Sequence, residues 1–160
     1  MSEIRIREAA PGDVPLVLSL IRELAAYERA PGQARATPEQ LREALFAPRP
    51  ACECLIGEID GVARGFALFF HTFSTWEGRR GLYLEDLFVR PSARRQGLGR
   101  ALLRHLARLA MDRGCARFEW AVLDWNSPAI EFYRGLGARP MDEWTTFRLD
   151  ADALASLAAG

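Results

Sequence analysis

Arg94-Arg95-Gln96-Gly97-Leu98-Gly99 constrains this chain more than any other stretch. It follows the apolar run Leu82 to Val89 and precedes the amphipathic run Ala101 to Met111. That order predicts strand, glycine-rich loop, helix. Such a loop turns successive backbone N–H groups toward one point, and the helix N-terminus behind it adds partial positive charge. Gly97 and Gly99 let the backbone approach a bulky anion and adopt positive φ where the turn needs it. A phosphate or pyrophosphate suits this loop. No Lys-Ser or Lys-Thr follows the glycines, so it is not a nucleoside-triphosphate P-loop. The spacing also differs from Gly-x-Gly-x-x-Gly of dinucleotide folds. An ordinary strand-to-helix turn with solvated arginines is the competing explanation.

Flanking segments supply the architecture. Ile4 to Arg7 alternates and predicts a first strand. Asp13 is placed to cap a helix that runs to Tyr27-Glu28. Thr37-Pro38-Glu39-Gln40 is a capping box opening a helix over 38–46. Cys52 to Ile59 and Val62 to Phe73 predict strands joined at Asp60-Gly61. A further strand is expected over 118–123. A short helix over 128–133, capped by Ser127, follows it. Trp144 to Leu149 is expected to close the sheet, with a small helix after Asp150. This is an α+β chain with a mixed central sheet, helices on both faces and parallel central strands that splay into a cleft. With no repeat or linker, residues 1–160 are expected to form one domain.

A second motif follows in Asp124-Trp125-Asn126-Ser127-Pro128-Ala129-Ile130-Glu131-Phe132-Tyr133-Arg134-Gly135-Leu136-Gly137. Together the two motifs resemble the GNAT N-acetyltransferase superfamily. Glu23 to Glu28, Tyr83 to Asp86 and Ala121 to Asn126 are similar to its spermidine/spermine branch. Ser74-Thr75-Trp76 with Gly78-Arg79 looks more like the thialysine acetyltransferases, because the polyamine enzymes usually carry an acid near Ser74.

The resemblance implies an acetyl-CoA-dependent N-acetyltransferase working by direct attack of a primary amine. The acceptor would be a small aliphatic amine or a lysine-like amino acid. It implies a cofactor site of Leu87, Phe88, Val89, Arg94, Arg95, Gln96, Gly97, Leu98, Gly99, Arg100, Asn126, Ala129 and Tyr133. Its pantetheine arm would lie against strand amides near Leu87 and Val89. Tyr133 would be the acid that protonates the leaving thiolate, since a phenol of pKa about 10 suits a basic thiolate. Glu85 would be the base and contact the amine. Strict alternation sets Glu85 opposite Asp86, on the face of Tyr83 and Leu87, and Asp86 is expected to be structural. Tyr27, Glu28, Trp76, Glu119 and Trp120 would join Glu85 in holding the amine, with Asp142 or Glu143 a weaker candidate. Packing remains the alternative for Tyr133, Trp76 and Trp120, and a salt bridge for Glu85. A homodimer is implied by the resemblance alone. A protein lysine or N-terminal acetyltransferase, or a non-catalytic acyl-CoA-binding module, are the other functions open to such a chain.

Composition narrows the partners. The formal net charge is zero, which argues against a generic nucleic-acid or anionic-membrane binder. The arginines from Arg90 to Arg104 are a local patch, either solvated or attracting phosphates, including the adenosine 3′-phosphate of CoA. The charged start predicts no secretory leader, and no apolar run reaches transmembrane length. Cys52, Cys54 and Cys115 are sparse and odd in number, as in a reducing cytoplasm. His71 and His105 lack ligand spacing, so no metal is expected and the cysteines are expected in the core.

Overall fold

The computed structural model describes residues 2–160. Two compact units divide at residues 121 and 122. The first holds β1 (Ile4–Glu8), α1 (Val14–Tyr27), α2 (Pro38–Phe46), β2 (Glu53–Ile59), β3 (Val62–Ser74), β4 (Arg79–Val89), α3 (Leu98–Asp112) and β5 (Arg117–Trp120). The second holds α4 (Ser127–Gly135) and α5 (Ala151–Ala158). Five strands lie in the order β1-β2-β3-β4-β5. The first four are antiparallel neighbours, and β4 and β5 are parallel. The expected α+β class and mixed sheet are present.

The amphipathic helices sort onto two faces. Val14, Val17, Leu20 and Leu24 of α1 and Leu41 and Leu45 of α2 bury with Cys54, Ile56, Phe66, Leu68 and Phe88. Leu98 of α3 packs on the other face, over the paired Gly57 and Gly65. A β-carbon on Gly57 would come within 2.7 Å of Leu98, so a side chain there would force Leu98 to move.

Several elements depart from the pattern reading. Residues 144–149 form no strand, and Phe147 is 92% exposed. Alternation alone does not make a strand; it exists only through a paired neighbour. β5 ends at Trp120 rather than 123. Asn126, not Ser127, caps α4, its Oδ1 accepting from the Ala129 N–H at 3.4 Å. Asp13 makes no cap bond to α1. Its carboxylate accepts instead from the Ala10 N–H at 2.7 Å and from both Arg7 terminal nitrogens at 2.8 and 3.0 Å.

Arg7 is a joint between elements. Its Nε also donates to Glu58 Oε2 on β2 at 3.0 Å. Glu58 is only 9% exposed. The Arg7 guanidinium, bonded to Asp13, holds that carboxyl below its ordinary range. At the far end of α3, Arg113 grips Glu53 of β2 at 2.6 and 2.9 Å and stands 3.3 Å from His71 Nε2.

Arg7→Met should destabilise the protein by about 2–4 kcal/mol, because it leaves Glu58 buried without its cation. Urea denaturation at neutral pH measures this. Asp13 titrates below its unfolded value of 3.8. Its contribution is therefore present above that pH and lost as pH falls through the lowered value. The variant should lose less stability than wild type over that acid range.

Candidate active site

β4 is where the site is built. Its ladder with β3 slips between Leu68 and Phe69: Leu68 pairs with Asp86 and Phe69 with Leu84. Glu85 is left over as a bulge. It is exposed inside an otherwise apolar strand. Pairing with β5 also stops here, at Leu84 opposite Trp120. Beyond that point, no β5 residue pairs with the β4 stretch from Glu85 to Val89. Two parallel strands that part company this way leave polar backbone on one edge, the usual setting of a ligand cleft.

The bulge corrects the alternation reading. Cross-strand partners share a face. Tyr83 pairs with Phe70 and Asp86 with Leu68, so both face α1 and α2. Leu87 pairs with Ala67 and faces the other way. Tyr83 and Leu87, expected together, are on opposite faces because the inserted residue resets the period.

Asp86 matters more than the sequence suggested. Burial, reinforced by the Glu85 and Glu28 carboxylates, pushes its carboxyl up to about 6. Burial also raises Glu28, at the end of α1. Burial raises the Tyr83 phenol, with Glu85 and Glu119 adding to the effect. None of Glu28, Glu85, Asp86 and Glu119 is in an ion pair among the described residues. The unit therefore concentrates negative charge around the bulge without balancing it. Adjacent acids in an apolar strand were the visible signal, but the bulge that gathers them has no sequence mark.

The other amine-site candidates scatter. Tyr27 and Glu28 adjoin at the end of α1, and Glu119 pairs with Tyr83. Trp120 pairs with Leu84 and so lies on the opposite face from Glu119. Trp76 is 81% exposed in the β3–β4 turn. That turn is about 20 Å from Glu85 at the usual strand rise. Ser74 Oγ accepts from the Glu77 N–H in the same turn at 3.1 Å.

The loop after β4 is held from α1. Arg90 pairs with Glu23 at 3.0 Å. Arg94 stacks 4.7 Å over the Tyr27 ring, and its Nε donates to the Val89 carbonyl at 3.0 Å. Gly97 is left-handed at φ 88° and caps α3, whereas Gly99 is helical. Arg95 shares the left-handed region at φ 65° without being glycine. A β-carbon added at Gly97 or Gly99 would meet nothing nearer than 3.8 Å. The protein does not need the missing side chains to pack; they leave an open cradle before the first N–H groups of α3. Residues Arg94 to Arg100 thus fit a diphosphate.

In the second unit, Asn126 and Ala129 form the first turn of α4, and Tyr133 lies on the same helix. The Phe132 and Tyr133 rings are 5.7 Å apart.

The family described as "Acetyltransferase (GNAT) family" matches residues 18–138. This chain belongs to that family. It is an N-acetyltransferase, as its resemblance implied. The match runs across both compact units. The chain is 40% identical to a thialysine N-epsilon-acetyltransferase of Sus scrofa, with 99% of each chain covered. It is 33% identical to an L-ornithine N5-acetyltransferase of Arabidopsis thaliana, over 96% of this chain and 87% of the relative. A solved integron cassette protein from the mobile metagenome of V. cholerae superposes with a TM-score of 0.82 at 26% identity, covering 98% of each. GNAT enzymes use acetyl-CoA. No described helix is long and apolar enough to cross a membrane. Among the described residues, no three His, Cys, Asp or Glu side chains group as metal ligands would. Burial pushes the Cys54 thiol up to about 12, which leaves it unreactive.

Because Asp86 titrates near 6 when folded and near 3.8 when unfolded, it favours folding below 3.8 and loses that contribution as pH rises through 6. Asp86→Asn should therefore stabilise the acetyltransferase at pH 7.5, by about 3 kcal/mol. The gain should shrink to nothing by pH 4, as followed by thermal melts across that range.

Proposed function

We propose that this acetyltransferase uses acetyl-CoA to acetylate the terminal primary amine of a small lysine-like amino acid or short aliphatic amine. The observation that carries it is the unbalanced acidic group around the β4 bulge: Glu85, with Asp86, Glu28 and Glu119 near it. Such a group attracts an ammonium ion and has little use for a neutral or anionic acceptor. The relatives named for thialysine and ornithine act on side-chain amines of amino acids, which agrees with this class. Open edge and cradle suit the donor: Leu87, Phe88 and Val89 for the pantetheine arm, Arg95 to Arg100 for the diphosphate. The resemblance of the second motif assigns Asn126, Ala129 and Tyr133 to the same donor. Arg94 serves by holding the loop to Tyr27.

When bound, the donor supplies an acetyl group activated as a thioester. The chain must supply two proton transfers. An alkylammonium has a pKa of about 10.4 and cannot attack until it loses a proton. Glu85, exposed on the bulge and free of any ion pair among the described residues, would take that proton directly or through water. Tyr133 would give one to the departing sulfur. Trp76 is not part of the amine site as we draw it, because the β3–β4 turn lies a strand's length from Glu85 within one chain. We further propose a cytoplasmic homodimer that binds neither nucleic acid nor membrane, and that residues 1–160 act as one catalytic domain.

A thiol-release assay across thialysine, ornithine, putrescine, spermine and a histone-like peptide tests the function. Thialysine or ornithine should give the highest kcat/KM. A higher value for spermine would overturn the acceptor class, and a higher value for the peptide would make this a protein acetyltransferase.

Tyr133→Phe should lower kcat about 10²–10⁴-fold and leave donor affinity unchanged. Glu85→Gln should be most impaired at low pH and recover as the amine deprotonates unaided. Full activity in Tyr133→Phe would make that ring a packing residue.

A further inference from the structure

β3 carries a second irregularity. Its ladder with β2 pairs Gly57 with Gly65 and Glu58 with Ala63, so Arg64 is left over between them. A guanidinium is thereby inserted into a strand flanked on both sides, by β2 and by β4. Among the described residues, Arg7, Arg64, Arg90 and Arg113 are the half-buried arginines. Arg7, Arg90 and Arg113 each grip a carboxylate, whereas Arg64 is in no ion pair among the described residues. A charge drawn out of water without a partner is costly. Arg64 instead borders a cavity of about 290 Å³.

This cavity lies between the β2–β3 turn and the loop after β4. Ser92 and Gln96 bring it a hydroxyl and a carboxamide, and Ile59, Val62 and Ala93 give it an apolar wall. Asp60 lines it too, yet forms no ion pair with Arg64. Asp60 Oδ1 accepts from the Glu3 N–H at 2.7 Å, and a carboxylate has a second oxygen for another donor. The lining therefore offers a cation and an anion that do not neutralise each other. A polyphosphate would be repelled by Asp60, and a diamine by Arg64. A ligand that carries both charges suits both.

We infer that this cavity is a second ligand site, which takes a free α-amino acid with an apolar side chain, its carboxylate on Arg64 and its ammonium on Asp60. The planar fork of a guanidinium matches a carboxylate bidentately. Ser92 and Gln96 supply further hydrogen bonds, and the side chain covers Val62, which is 47% exposed. The site is distinct from that of acetyl transfer. Val89 pairs with Gly65, the neighbour of Arg64, and Glu85 lies about 13 Å back along β4. It does adjoin the proposed donor loop, to which Gln96 also belongs. An amino acid held there orders Ser92 to Gln96 before CoA arrives, and linkage makes the gain in affinity reciprocal. This coupling, unlike the site itself, rests on the proposal that CoA binds the loop.

Calorimetric titration with L-leucine, at neutral pH and without CoA, tests the site. Leucine should bind with a Kd of about 1 mM or below. The anion 4-methylpentanoate, which lacks only the ammonium, should bind about tenfold more weakly. Arg64→Gln and Asp60→Asn should each cost about tenfold as well. Asn keeps an oxygen for the Glu3 N–H and tolerates the left-handed φ of 50° at that position, and thermal melts check that both variants are folded. Glu85→Gln should bind leucine as wild type does. No binding by wild type, or undiminished binding by either folded variant, overturns the inference. So does an equal loss from Glu85→Gln, which would put the leucine ammonium in the acidic group at the β4 bulge. Saturating leucine should tighten CoA binding several-fold, and an unchanged CoA affinity overturns the coupling. If wild type binds no CoA, the donor loop falls, and the leucine titration still decides the site.

Discussion

The β4 bulge at Glu85 is the constraint on which the site depends. One inserted residue does three things at once. It turns a carboxylate out of an apolar strand, shifts Asp86 onto the face of α1, and comes where β5 stops pairing. Without it, the ladder would continue and Asp86 would exchange faces with its neighbours. Bulges bend and twist the strand that carries them, and the exposure of Glu85 follows from its being the inserted residue.

Position along β4 then organises the chemistry. The strand leads from the acidic bulge at Glu85 to the loop after Val89 and then into α3 at Leu98. Arg90 and Arg94 fix that passage to α1 through Glu23 and Tyr27. Tyr27 and Glu28 are adjacent, so the helix end that braces the loop also contributes a carboxylate beside Asp86. A shift of α1 would disturb loop and acidic group together. This coupling is mechanical: short contacts between rigid elements, with little freedom to adjust one without the other.

The sequence disclosed what local rules govern. The capping box at Thr37 forms, with Gln40 N–H reaching Thr37 Oγ1 at 3.2 Å. The glycine loop lies between strand and helix because Gly97 needs φ 88° and apolar residues recur on one face of α3. What it concealed depends on partners distant in the chain. Asp13 looked like a cap, but the guanidinium of Arg7, bonded also to Glu58, outcompetes the helix amides for it. Residues 144–149 alternate like a strand but form none. The bulge at Glu85 leaves no compositional trace, because any residue can be the inserted one. Candidate residues could be named from the sequence, but their arrangement could not: Glu119 and Trp120, neighbours in sequence, face opposite sides of the sheet.

Net charge is a poor guide to such a chain. Its 21 acids and 21 arginines cancel, yet they do not mix. Among the described residues, carboxylates outside the ion pairs gather at the bulge and arginines outside them line α3. Two ligands of opposite charge, an ammonium and a polyphosphate, must meet within one site for acetyl transfer. If their fields overlapped fully, the acids would repel the donor and the arginines would repel the amine. Separation along β4 and its following loop keeps the two groups of charge apart. Only the short uncharged stretch from Leu87 to Val89 lies between them. The proposed placement of the thioester against that stretch keeps it between the two charge groups.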